Sequence, residues 1–322
     1  MTRRPWAVLA GVLLLAVGAM TWLVLSANDD RHPPPTNTER VSGLTLVVVE
    51  TDRASFGAVV GSTGGTYGAL VLPTEIQVTI PGQGDATLGE ALELPPRQAA
   101  TTVANVLGVW VDHYVVIHKE RLAAIVDGAG GITVGSDTRR GSEVLSMLED
   151  AGAGAGSAFS LVLGGLLAGV EWDPAVLPDS DSATSVVEVL EAARGANVSA
   201  IPSVQAAEGI FVSEPDAIRR SIVDAFAGPD REVVRVIVLN GSGVPGVGEL
   251  VAERIVPGGF RIVVSENAAN FDHQETLVVV GSADDVGLGE RVRDLLGTGS
   301  VNVSLSSGIA PVTVVVGKDF TG

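Results

Sequence analysis

The chain contains no cysteine, which removes disulfides, thiolate nucleophiles and cysteine-based zinc sites together. Cations are scarce as well. Lys and Arg number 20 against 38 Asp and Glu, a formal charge of −18, so the clustered basic residues that nucleic acid or anionic lipid requires are missing and a nucleic-acid partner is excluded. Aromatic residues make up only 4% of a sequence that is 46% hydrophobic. The cores must therefore be built from Val, Leu, Ile and Ala, which suits sheets covered by small-residue helices, an α/β or α+β architecture. A length of 322 residues exceeds what a single ordinary core fills and points to two domains.

The first thirty residues, MTRRPWAVLAGVLLLAVGAMTWLVLSANDD, carry no charge between Arg4 and Asp29. About 20 apolar residues at ~1.5 Å rise cross the roughly 30 Å of bilayer hydrocarbon, so a transmembrane helix is expected. Arg3 and Arg4 precede it while Asp29 and Asp30 follow it, which places the N-terminus in the cytoplasm and the bulk of the chain outside. A cleaved signal peptide is the competing reading; its apolar core of ~7 to 15 residues is shorter than this one. The following ANDDRHPPPTNTER is polar, with three consecutive prolines, and reads as a semi-rigid linker.

Beyond it, GLTLVVVE and GALVLPTEIQVTIPG read as strands separated by a glycine-rich turn. PPRQAATTVANVLGV reads as a helix opened by proline, and DHYVVIH, KERLAAIVDGAGG and ITVGS as strand, helix and strand. From Ser142 to Phe226 the pattern is helical. SLVLGGLLAGV within it is too short to span a bilayer and is expected as a buried helix. After GPDREV the pattern becomes β-α-β-β-α-β with a final strand, the size of one small domain, with the boundary near Pro229.

Few residues suggest chemistry. His113 and His118 lie five apart in a strand and so point to opposite faces, which argues against a shared metal. His32 falls in the linker and His273 near the C-terminus, and no cluster forms. Gly241, Gly243 and Gly246 satisfy G-x-G-x-x-G between a strand and a helix, and Glu266 ends the next strand where a ribose-binding acid would stand. Pro245 in the turn and the small number of strands argue against a dinucleotide site. GSTGGTYG lacks the Lys-Ser/Thr of a phosphate loop, and no G-x-S-x-G supports a serine nucleophile. Asn197, Asn240 and Asn302 open Asn-x-Ser sequences, which matter only in a glycosylating host.

VDHYVVIHKERLAAIVDGAGGITV, and the series VIVLNGSGVPGVGELVAERI, GGFRIVVSENA, ETLVVVG and VTVVVGKDF, resemble the LytR-CpsA-Psr family of cell-wall proteins followed by its LytR C-terminal domain. The resemblance implies a cytoplasmic tip and transmembrane helix over 1–28, a linker over 29–42, a mixed sheet flanked by helices over 43–228 and a small α/β domain over 229–322. Members transfer glycopolymers from polyprenyl-pyrophosphate carriers to peptidoglycan, with acids holding a divalent metal and arginines holding the pyrophosphate. Carried onto this sequence, the catalytic candidates are Asp52, Arg53 and Glu75 and the metal candidate is Asp52, with Glu50 beside it; the substrate-binding candidates are Arg53 and, as the other cation of this region, Arg97.

The sequence departs from the family where the chemistry would sit. VLPTEIQVTIPG places Thr74 at the family's arginine and Glu75 at its aspartate, and the later R-x-x-R-Q segment has no counterpart in WDPAVLPDSDSATSVVEVL. Between Gly43 and Trp110 the only cations are Arg53 and Arg97, while a pyrophosphate leaving group needs several donors or a metal. Threonine supplies no guanidinium fork. The expectation is a single-pass cell-membrane protein with an envelope-facing, non-catalytic binding or scaffolding role and no cofactor. Its expected partners are the membrane and a polyprenyl-phosphate lipid, a cell-wall glycopolymer or an active relative. The alternative is a transferase requiring Mg²⁺, which takes one or two carboxylates plus substrate oxygens.

Overall fold

The computed structural model describes residues 43–63, 66–228, 230, 232–304 and 308–321. The expected transmembrane segment, 1–28, and the linker, 29–42, lie outside the described residues. Among those described, no helix is long and apolar enough to cross a membrane.

The first sheet starts from runs that are apolar at nearly every position. β1 (Leu44–Glu50) and β2 (Ser55–Ser62) form an antiparallel hairpin, and β3 (Tyr67–Leu72) adds beside β2. A separate small hairpin, β4 (Gln77–Ile80) and β5 (Gly84–Thr87), leads into α1 (Leu88–Leu92), whose start is fixed by a Thr87–Glu90 capping box. α2 (Pro96–Leu107) begins at a proline, where the missing N–H costs nothing, and ends at Gly108 in the left-handed region. β6 (His113–His118) returns parallel to β1, and α3 (Lys119–Gly128) follows directly.

A second small hairpin, β7 (Ile132–Val134) with β8 (Asp137–Arg139), precedes α4 (Gly141–Asp150), α5 (Ala155–Gly169) and α6 (Ala183–Ala192). The helical expectation for 142–226 then fails in part. β9 (Asn197–Ala200) joins the first sheet parallel to β3, and β10 (Val204–Ala207) with β11 (Ile210–Val212) makes a hairpin before α7 (Pro215–Phe226). Gly195 and Gly209 both adopt positive φ, breaking the helical period where the chain reverses. The buried helix expected for SLVLGGLLAGV is present as the end of α5, with Val162, Leu163, Leu166 and Leu167 in the core.

The first sheet, ordered β6-β1-β2-β3-β9, is covered on both faces. Leu44, Leu46 and Val48 enter one core with α1, α2 and α7, while Val47 and Val49 enter another with α3, α4, α5 and α6. Its β6 edge is paired by residues 179–181: Val116 N–H donates to the Asp179 carbonyl and Asp181 N–H to that of Tyr114.

The second sheet follows the expected β-α-β-β-α-β-β order: β12 (Val234–Asn240), α8 (Val247–Ile255), β13 (Phe260–Asn267), β14 (Leu277–Val280), α9 (Val286–Leu296), β15 (Ser300–Val303) and β16 (Val312–Val316). Its spatial order is β13-β12-β16-β14-β15, and only the β14/β16 pairing is antiparallel. Val236, Val238, Ile262, Val278, Val314 and Val316 point toward α8 and α9 in a core continuous with the α1–α2 face of the first sheet.

Candidate functional site

Parallel strands β1 and β6 end side by side at Glu50 and His118, the place where open α/β sheets gather ligand-binding loops. The β1–β2 turn is built by Thr51, whose Oγ1 accepts from the backbone N–H groups of Arg53 and Ala54, an ST-turn that fixes where Asp52 and Arg53 project. Arg53 Nη1 donates to Asp150 Oδ1 at 3.0 Å and to the Glu149 carbonyl at 3.2 Å, at the end of α4. Lys119, at the first position of α3, places its ammonium against both carboxylate oxygens of Asp52. That contact raises the Lys119 pKa above its ordinary value.

His118 Nδ1 lies 2.7 Å from Glu50 Oε2, and its Nε2 is 3.8 Å from Asp179 Oδ2. His113 contacts Asp181 Oδ2 at 3.2 Å instead. The two imidazoles therefore serve separate carboxylates, as their spacing requires. This rim gathers Glu50, Asp52, Glu120, Glu149, Asp150 and Asp179 around the two obligate cations Arg53 and Lys119.

The rim's candidate donors are already engaged. Arg53 and Asp150 are exposed, at 64% and 73% of their side-chain surface, so the guanidinium is both solvated and already paired. Stabilising a leaving pyrophosphate calls for unspent donors held in a dry cavity. Nor do the residues fit a magnesium ion: Lys119 sits where a cation bound by Asp52 would sit, and binding would have to displace it. Among the described residues no group of three or more His, Asp or Glu is arranged to hold a metal.

The other candidates lie elsewhere. Glu75, in the turn after β3, accepts from Ser203 Oγ at 2.6 Å. Arg97, in the first turn of α2, donates from Nε to Glu253 Oε1 of α8 at 2.8 Å, and this bond raises its pKa. The side chains of Asp52, Arg53, Glu75 and Arg97 thus pair with four different side chains, and none bonds another, although Asp52 and Arg53 both also contact Glu149.

Arg97 belongs to a seam between the first sheet's layer and the second sheet. At its centre is Asn105, 1% exposed on α2. Asn105 Oδ1 accepts from Ile262 N–H at 2.7 Å and its Nδ2 donates to the Ile262 carbonyl at 2.9 Å. The side-chain amide thereby pairs with the edge strand β13 as a neighbouring strand would, satisfying backbone groups that burial would otherwise leave orphaned. Gly82, in the β4–β5 turn, donates its N–H to Ser265 Oγ at 2.7 Å.

That seam also closes the dinucleotide reading of Gly241, Gly243 and Gly246. Asn240 Oδ1 accepts from the N–H groups of Ser242 and Gly243, and Ser242 Oγ from that of Val244. The loop's amides are spent on its own side chains rather than aimed at an anion. The start of α8 is covered: a Cβ on Gly248 would fall 2.5 Å from the Gly82 backbone nitrogen. Here the glycine serves close packing between two backbones.

Two residues of consequence escaped the sequence reading. Lys119 looked like an ordinary first-turn lysine, and only the β1/β6 adjacency brings it to Asp52. Asn105 carried one usable signal, a polar residue within the apolar stripe of a short helix.

Fold and rim define a class: a doubly covered mixed sheet with a smaller α/β module seamed to it, and a self-paired acidic rim at the strand ends. Residues 233–320 match the family model described as LytR cell envelope-related transcriptional attenuator, which bears out the C-terminal half of the resemblance. No curated protein matches the sequence.

Solved structures that align with the chain include a LytR-Csp2A-Psr enzyme from Actinomyces oris (14% identity, 59% of this chain and 92% of that one, TM-score 0.47). Also similar are TagV of B. subtilis (13%, 58% and 97%, 0.46) and the LytR-CPS2A-psr family protein YwtF (TagT) with bound octaprenyl pyrophosphate lipid (16%, 61% and 92%, 0.46). No residue role of those proteins transfers at this level of likeness.

Proposed function

We propose that this chain is a membrane-anchored, envelope-facing protein of cell-wall assembly that binds or scaffolds rather than catalyses. The observation that carries the reading is the dispersal of Asp52, Arg53, Glu75 and Arg97 onto Lys119, Asp150, Ser203 and Glu253. A phosphotransferase needs such groups convergent and unspent, and here they hold the fold's own surfaces together. The family match over 233–320 supports the envelope assignment, and the apolar N-terminal run with its flanking arginines supports the anchor. The occupants in keeping with this role are a polyprenyl-phosphate lipid, a cell-wall glycopolymer or an active relative.

Complementation in the native host tests it. A strain lacking the gene should regain normal wall-glycopolymer content with the wild-type chain, and equally with Asp52→Asn, Arg53→Ala and Glu75→Gln combined. Full loss of complementation by a triple variant that accumulates normally would return the chain to the transferases.

A further inference from the structure

The second sheet presents one face to α8 and α9, and among the described residues no helix lies over the other. Sheets that are mainly parallel occur almost only with both faces covered, and their strands read as continuous apolar runs. VRVIVLN, LVVV and VTVVV are such runs. Their outward positions are Ile237 and Leu239 on β12, Val264 on β13, Leu277 and Val279 on β14, and Val315 on β16; Ile237 is buried between its neighbours and the other five are half-buried. Strand register sets them in two rows, Val264–Ile237–Thr313–Val279 and Leu239–Val315–Leu277. Among the described residues no helix covers them.

The same face carries charge at both ends. Arg235 and Arg261 are register partners on β12 and β13, one row before Ile237. Among the described residues neither guanidinium makes a hydrogen bond or an ion pair. This is notable in a chain with almost twice as many acids as bases. Desolvation alone acts on Arg261 and lowers its pKa, as befits a partly buried guanidinium with no anion beside it. At the other end, Glu266 pairs in register with Leu239 and is exposed.

From this geometry we infer that the bare face docks an amphipathic helix of a partner protein, with an aliphatic stripe along Ile237, Val279 and Leu277 and carboxylates in its C-terminal turn over Arg235 and Arg261. A helix is the layer that completes a mainly parallel sheet. Its unpaired C-terminal carbonyls complement the two guanidiniums. Among the described residues the face carries no aromatic ring to stack on a sugar. The inference uses only the second sheet and stands or falls apart from the function proposed above.

The test uses the full-length chain and three synthetic peptides of about twenty residues, long enough to hold a helix. One has a Leu/Ala stripe ending in two glutamates, one the same stripe ending in two lysines, and one a scrambled stripe. Fluorescence anisotropy should show the glutamate peptide binding about tenfold or more tighter than the lysine peptide, and the scrambled peptide not at all. Arg235→Glu, at an exposed position, should reverse the preference. Val279→Asp, or Thr313→Arg should the first variant melt early, should abolish binding while the melting temperature stays near wild type. Equal binding of both charged peptides, or binding that ignores Arg235→Glu and the face variants, overturns the proposal. So does a wild-type chain that leaves the peptides unbound while it binds dodecyl phosphate or self-associates through this face.

Discussion

The two five-stranded sheets differ in how they are closed. In the first, alternate residues of β1 enter two separate cores, so that Leu46 and Val47, neighbours in sequence, are both almost fully buried on opposite faces. In the second, Val314 is fully buried while Val315 beside it remains partly open. Similar aliphatic strands thus make a three-layer scaffold in one place and a two-layer module in the other. The difference lies in what the connections supply: among the described residues seven helices flank the first sheet and two the second. A bare aliphatic face is the residue of that shortfall.

Truncation should expose the contrast most sharply. Leu70→Ala, in the fully buried centre of the first sheet, should cost about 3 kcal/mol, the range for a core leucine that leaves a cavity, measured by chemical denaturation of the full chain. Asn105→Ala removes both bonds to Ile262 and leaves buried backbone groups unpaired, at about 2 kcal/mol. Amide exchange should then speed up along β13, while β1 to β3 keep their protection. Should β13 exchange unchanged, the seam is not what fixes the second sheet.

Val279→Ala, on the bare face, should cost less than about 1 kcal/mol, because little cavity forms where water already reaches. A loss as large as that of Leu70→Ala would mean that the face is packed.

The smallest effect is one of pH. Glu191 accepts from Trp172 N–H at 2.7 Å and from Arg194, and these bonds hold its pKa below the usual carboxylate value. A depressed folded pKa contributes stability that is present above about pH 4.3, the unfolded value, and is lost as the pH falls through the folded value. Glu191→Gln should therefore be slightly less stable than wild type at pH 6, and the gap should close below about pH 4. A gap that widens in acid would reverse the sign of this assignment.

Much of the fold was legible in residues. The period-2 and continuous apolar runs located β1, β3, β6 and the second sheet's strands, and proline marked the start of α2. The stretch from Asn197 to Val212 was not, because β9 is four residues long and mostly exposed, leaving no apolar alternation to read.

The candidate site was legible only as a set of residue types. Sequence proximity suggested that Asp52 and Arg53 act together, yet the turn sends Asp52 to Lys119 and Arg53 to Asp150. Such partners are set by strand adjacency, across 67 and 97 positions of chain, and no local pattern encodes them. Sequence did register the shortage of cations, which the structure deepens by pairing both Arg53 and Arg97.

The most direct measurement of the central claim is phosphate release from a short polyprenyl pyrophosphate by the full-length chain, with and without Mg²⁺. Release equal to the protein-free control under both conditions is the predicted result. Release that requires Mg²⁺ and falls on Arg53→Ala or Asp52→Asn would contradict it, and would mean that the ion pairs at the strand ends open to make a working site.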